Sequence, residues 1–135
     1  MEAQVLENKN VPGKGEKYWQ LTEAGNVDWD NWDNEEFDYD VWNNGNGFFS
    51  KEDAEFERER RKVIKELKEF ARPFIKDQYN HYICYQHDFN EIRVEGAICF
   101  QDNNLYFSSV EKTWEAIKVV GIDRIKKYYL QVPEV

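Results

Sequence analysis

The chain has 135 residues with 27 acids against 18 bases, a formal charge of −9, and aromatic side chains at 16% of positions. A length of this order suits one domain that buries roughly two-thirds of its unfolded surface, and the charge opposes direct binding to nucleic acid or anionic membrane. Two cysteines, Cys84 and Cys99, are too few for a disulfide framework, and no run is apolar enough for a leader or a bilayer span, so reduced, buried thiols in the cytoplasm are expected.

Residues 1–15, with Asn8, Asn10, Pro12, Gly13 and Gly15, read as a flexible arm, and 16–135 as a single domain. Tyr18 to Leu21 reads as a strand, Glu23 to Asn26 as its turn, and Val27 to Trp32 as the returning strand, with one face packed and the other in water. From there the acidic run is expected to continue as loop or edge to Trp42, and Asn43-Asn44-Gly45-Asn46-Gly47 breaks the chain.

Ser50 followed by Asp53 has capping-box spacing. Acids then crowd the first turns (Glu52, Asp53, Glu55, Glu57) and bases the later ones (Arg60, Arg61, Lys62, Lys65, Lys68), the order that opposes the macrodipole. Phe56, Val63, Leu67 and Phe70, widened by Ile64 and Ala71, make one apolar stripe, and Pro73 predicts an end near Ala71 or Arg72. His81 to Gln86 and Ile92 to Phe100 predict a hairpin turning at 88–91, which places Cys84 opposite Glu95 and away from Cys99. Leu105 to Phe107 predicts a third strand. Ser108 with Glu111 predicts the cap of a second, shorter helix with Val110, Trp114 and Ile117 on its buried stripe and Gly121 as a left-handed cap. For Ile122 to Val132 a helical turn followed by a strand is one reading. The two helix entries, Phe48-Phe49-Ser50-x-x-Asp53-x-x-Phe56 and Tyr106-Phe107-Ser108-x-x-Glu111-x-x-Trp114, echo each other, as a duplicated strands-then-helix unit would. The fold class is therefore α+β: small antiparallel sheet or sheets packed on one long and one short amphipathic helix.

The charge is unevenly placed. Residues 22–49 hold eight acids and no base. Within them, Asp28, Asp30, Asp33, Glu35, Glu36, Asp38 and Asp40 are interleaved with Trp29, Trp32, Phe37, Tyr39 and Trp42. Acidic segments that stay disordered are poor in large aromatics, so this one is read as ordered and as the working surface. The candidate partner-binding residues are Asp28, Trp29, Asp30, Trp32, Asp33, Glu35, Glu36, Asp38, Asp40 and Trp42, with the acids steering a basic partner and Trp29, Trp32 or Trp42 anchoring it. Drawn out as a strand, 28–40 would reach about 43 Å at roughly 3.3 Å per residue. That gives one charge per ~6 Å against one per ~3.4 Å along a DNA strand. A nucleic-acid mimic would need a second acidic row, from Glu52, Asp53, Glu55 and Glu57 or from another copy.

Catalytic signatures are missing: there is no G-x-S-x-G, no P-loop, no H-E-x-x-H and no dinucleotide-binding glycine turn, and His81 and His87 are the only histidines. No catalytic residue, cofactor or metal is expected. Asp28-x-Asp30-x-x-Asp33 lacks the glycine and closing glutamate of an EF-hand loop, and a strand sends His81 and Cys84 of His81-x-x-Cys84-x-x-His87 to opposite faces.

Asn46-Gly47-Phe48-Phe49-Ser50-Lys51-Glu52-Asp53-Ala54-Glu55-Phe56, Lys62-Val63-Ile64, Glu66-Leu67-Lys68, Tyr106-Phe107-Ser108-Ser109 and Val120 to Tyr129, with the strand pair opened by Tyr18-Trp19, resemble a group of small proteins encoded by temperate phages and prophages of Gram-positive bacteria. The resemblance implies a phage setting in the bacterial host cytoplasm. By association with small phage proteins that block host defence, it also implies an anti-CRISPR or anti-restriction role. The reading it favours is a noncatalytic inhibitor offering the 28–42 surface, as a DNA mimic, to a basic groove of a host nuclease or DNA-binding protein. One alternative is a sponge or hydrolase for a small nucleotide signal, with Arg93, Arg124, Lys126 and Lys127 facing phosphates. Another is a homo-oligomeric structural or interaction protein whose tryptophans fill a subunit interface.

Overall fold

A computed structural model describes residues 10–134. It has an α+β fold with two small antiparallel sheets. The described residues divide into two compact units, meeting between Arg58 and Glu59 inside the long helix.

The first unit is built on β1 (Lys17–Leu21) and β2 (Val27–Asn31), an antiparallel hairpin in which Tyr18 faces Asp30 and Trp19 faces Trp29. Its turn is closed by the Asn26 amide donating to Thr22 Oγ1 at 3.1 Å, and Gly25 takes a φ of +83°, which a side chain would resist. β3 (Gly47–Phe48) pairs with the other side of β1, so the sheet order is β2-β1-β3. Residues 1–9 of the expected arm lie outside the described residues. Residues 10–15 run onto this unit, where Pro12 is buried and the Gly15 amide donates to the Trp32 carbonyl at 2.6 Å.

The acidic run departs from expectation. After a loop at 33–35, as expected, residues 36–42 do not continue as loop or edge, because Glu36–Asn43 forms helix α1. The helix is started by a capping box in which the Asp38 carboxylate accepts the amide of Glu35, at the N-cap. Its inward positions are Asp38, Tyr39 and Trp42, a stripe led by a carboxylate, and that polar lead hid the helical period from a hydrophobic reading. Folding into a helix shortens the run well below the extended span.

Helix α2 (Lys51–Lys68) begins where expected, with Ser50 Oγ accepting the Asp53 amide at 3.1 Å. It stops three residues short of Ala71. Arg72, held extended by Pro73, bridges to Tyr106 with its amide donating to the Tyr106 carbonyl at 2.8 Å.

In the second unit, β4 (Asn80–Gln86) pairs with β5 (Glu91–Ala97), and the turn falls at 87–90, one residue earlier than expected. That moves every partner by two, so Cys84 faces Arg93 and not Glu95. Both cysteines are free, and Cys99 is exposed where a buried thiol was expected, because β5 ends at Ala97 and leaves it in a bend. The expected third strand at 105–107 reduces to single bridges from Tyr106 to Arg72 and from Phe107 to His81.

Helix α3 (Val110–Val120) is capped by Ser109, not Ser108: its Oγ accepts the Lys112 amide at 3.0 Å. Thr113, Ala116, Ile117 and Val120 face inward while Val110 and Trp114 are exposed, so Ile117 alone of the expected stripe is buried. Gly121 closes the helix at φ +105° with its amide on the Ile117 carbonyl. The chain then continues through α4 (Ile122–Arg124) into a π-turn at Ile125–Tyr129, with no further strand among the described residues. Val63, Leu67, Ile83, Ile92, Phe107, Ala116, Ile117, Val120 and Ile125 form the core of this unit. Among the described residues no helix is long and apolar enough to cross a membrane.

Candidate functional site

The acidic surface in the first unit is assembled around Asp38. This carboxylate is buried, and it accepts the Tyr18 hydroxyl at 2.8 Å, the Asp33 amide at 2.9 Å and the Glu35 amide at 3.2 Å. Three donors are what a buried carboxylate needs to offset its lost hydration. The bond ties β1 to the start of α1. Burial first, and then the hydrogen bond and negative charge of Asp38, push the Tyr18 phenol well above its usual range, so it remains a donor.

Trp32 lies just past β2 with no exposed surface, its indole Nε1 donating to Asn34 Oδ1 at 2.7 Å. Its ring meets Tyr18, Tyr39 and Trp42 edge-on at centroid distances of 5.3, 4.9 and 5.9 Å. Trp42 in turn meets Phe49 at 4.8 Å. Edge-to-face rings of this kind hold an acidic segment onto the fold. Trp32 and Asp38, both expected to meet a partner, are therefore internal supports, and neither touches solvent enough to serve as a contact.

The other proposed residues lie outside. Asp28, Asp30, Asp33, Glu35, Glu36 and Asp40 are exposed, Trp42 is half-buried, and Trp29 is 54% exposed. Asp28 and Asp30 share a sheet face with Tyr18, the residue that reaches α1, so their carboxylates leave the sheet on the side that carries the helix. Carboxylates on β2 recur about every 6.7 Å, and Glu36 and Asp40, one helical turn apart, recur about every 6 Å. Two acidic rows thus arise from one segment. On the opposite face Trp19 and Trp29 stand directly across from each other, with the Lys17 ammonium 4.6 Å from one ring centroid and 4.4 Å from the other. Phe37, 55% exposed, was not among the expected contacts and adds an apolar element beside Glu36. Its place in the run was visible, but its outward direction depends on the unforeseen helix.

The bases suggested for phosphate binding are mostly engaged. Arg124 grips Glu66 through two bonds of 2.9 and 2.6 Å, and that fork holds the Glu66 carboxyl below its usual range. Arg93 bonds Glu91 at 3.0 Å and lies over the Phe89 ring. Lys126 sits over Tyr85 and Lys127 over Tyr128. His81 stacks on Tyr79 and His87 meets Tyr85 edge-on. Among the described residues no three His, Cys, Asp or Glu side chains converge as a metal site would require. No protein-family profile matches the chain, and no curated protein or solved structure resembles it at a significant level.

Proposed function

We propose that the chain is a noncatalytic binding protein whose acidic-aromatic surface engages a basic groove. In the phage setting that the resemblance implies, the owner of the groove is a host-defence nuclease, such as a CRISPR effector, or a DNA-binding protein. The observation that carries the reading is the double row of exposed carboxylates from β2 and α1, held in place by the buried Asp38 and Trp32. An extended run alone was about half as dense in charge as a DNA strand. Exposed carboxylates on α1 as well as on β2 supply a second line of charge without another copy. Fixed charges of one sign raise the association rate with an opposite surface, and exposed Trp29 adds a residue type enriched at interface centres.

The test is capture from host lysate, comparing the native chain with a variant carrying Asp28→Asn, Asp30→Asn, Asp33→Asn and Asp40→Asn. Expected is retention of a basic nuclease or DNA-binding protein by the native chain, lost in the variant and weakened by salt. Equal capture by both chains at low and high salt refutes the reading.

A second reading, retention of a small nucleotide, is favoured by a cavity of about 500 Å³ lined by Tyr85, Asn90, Lys126 and Lys127. Asp123 and Glu134 share its wall and oppose an anion. Mass spectrometry of a heat extract tests it: a nucleotide released in stoichiometric amount supports this reading, and none refutes it.

A further inference from the structure

The outer edge of β2 points to the form such a partner takes. Hydrogen-bonded positions alternate along an antiparallel pair. The Trp32 amide donates to the Glu16 carbonyl, and the Thr22 amide to the Asn26 carbonyl. With the register between them, Asp28 and Asp30 therefore bond β1, and the amides and carbonyls of Val27, Trp29 and Asn31 point outward. In the order β2-β1-β3, β2 is the outer strand among the described residues. The Asn31 amide is taken by Asp30 Oδ1 at 2.8 Å, so the outward ladder opens at Val27 and Trp29. Edge strands with outward backbone groups accept extended segments as an added strand.

We infer that this edge receives an extended basic segment of the partner as a fourth strand, an inference that rests on the binding reading above. Side chains of the added strand would alternate between the two sheet faces. On one face they would lie beside the exposed carboxylates of Asp28 and Asp30, and on the other beside the indole of Trp29. The segment that fits has Lys or Arg at every second residue and apolar or aromatic residues between them. Charge sets the composition and the ladder sets the alternation.

Calorimetry with two synthetic peptides of equal charge separates these terms: Lys-Val-Lys-Val-Lys-Val-Lys and the blocked isomer Lys-Lys-Lys-Lys-Val-Val-Val. The alternating peptide should bind at least tenfold more tightly, and backbone N-methylation of its central valine should remove that preference. On the protein side, Trp29→Phe shrinks the anchor but keeps the outward amide, so both peptides should bind more weakly while the ratio between them stays. Trp29→Pro deletes that amide at an edge position where proline is tolerated, and should lose it. Should Trp29→Pro fail to fold, the methylated peptide still decides. Equal binding of both isomers overturns the edge inference and leaves an acidic surface intact. Binding of neither overturns the inference and counts against the basic-partner reading as well.

Discussion

Replacing Asp38 by alanine should collapse the support beneath the acidic surface. The substitution leaves three donors without their acceptor: the Tyr18 hydroxyl and the amides of Asp33 and Glu35. Tyr18 is fully buried and its other partner, Gln20 Nε2, donates to it, so the hydroxyl proton loses its acceptor at a cost of about 1–3 kcal/mol. The two amides belong to exposed residues and regain water, losing roughly 0.5–1 kcal/mol each. The sum, about 3 kcal/mol, is a large part of a typical domain stability of roughly 5–15 kcal/mol. Four of the five tryptophans, Trp19, Trp29, Trp32 and Trp42, lie in the first unit, so intrinsic fluorescence during urea unfolding reports mainly on it. The expected result is a lower midpoint with an unchanged slope. A double-mutant cycle with Tyr18→Phe should show coupling of about 1 kcal/mol or more. A loss under about 1 kcal/mol for Asp38→Ala, or additive effects in the cycle, would refute the view of Asp38 as the organising acceptor.

Alkaline pH should weaken the same unit. The Tyr18 phenol titrates above its ordinary 10.0 when folded, so above pH 10 the unfolded state releases a proton that the folded state keeps, and stability falls. The loss should be about 1 kcal/mol by pH 11 in fluorescence-monitored unfolding, and Tyr18→Phe should flatten it. Gly47→Ala would place a Cβ 2.5 Å from Trp42 Cε3, forcing the indole off Tyr18, Trp32 and Phe49. A cost of about 1–3 kcal/mol is expected in the same assay. Asn80→Ala should destabilise the second unit by about 2–4 kcal/mol. Its buried amide accepts from Arg72 and the Ile75 amide and donates to the carbonyls of Ile75, Gln78 and Ala97. Hydrogen exchange at the β4–β5 ladder would register the loss.

Elements whose apolar residues repeat at a regular period were legible in the sequence. The β1–β2 hairpin, the start of α2 at Ser50 and the β4–β5 pair all appear where aromatic or β-branched runs and cap spacings placed them. α1 was not legible, because its first inward residue is a carboxylate bound by a tyrosine twenty positions earlier in the chain, a partnership no local window contains. The turn at 87–90 and the cap at Ser109 each missed by one residue. Adjacent serines at 108 and 109 offer equal caps, and burial of Thr113, Ala116, Ile117 and Val120 decides between them. The acidic character of the site could be read directly. Its division into outward acids and the inward pair of Asp38 and Trp32 depends on tertiary packing. At the two helix entries, Ser50 caps α2 while Ser109, not Ser108, caps α3, so the echoed motifs are offset by one residue at the cap itself.

Lys17 gives the tryptophan face a resident cation. Its ammonium already occupies the space over Trp19 and Trp29, so a visiting lysine gains little more than the difference between two similar ammonium groups. A guanidinium is flatter and less strongly hydrated, and it stacks on an indole in a way the tenant cannot match. The expected consequence is a preference for arginine over lysine in any cation brought to this face, which peptides differing only in that residue would reveal.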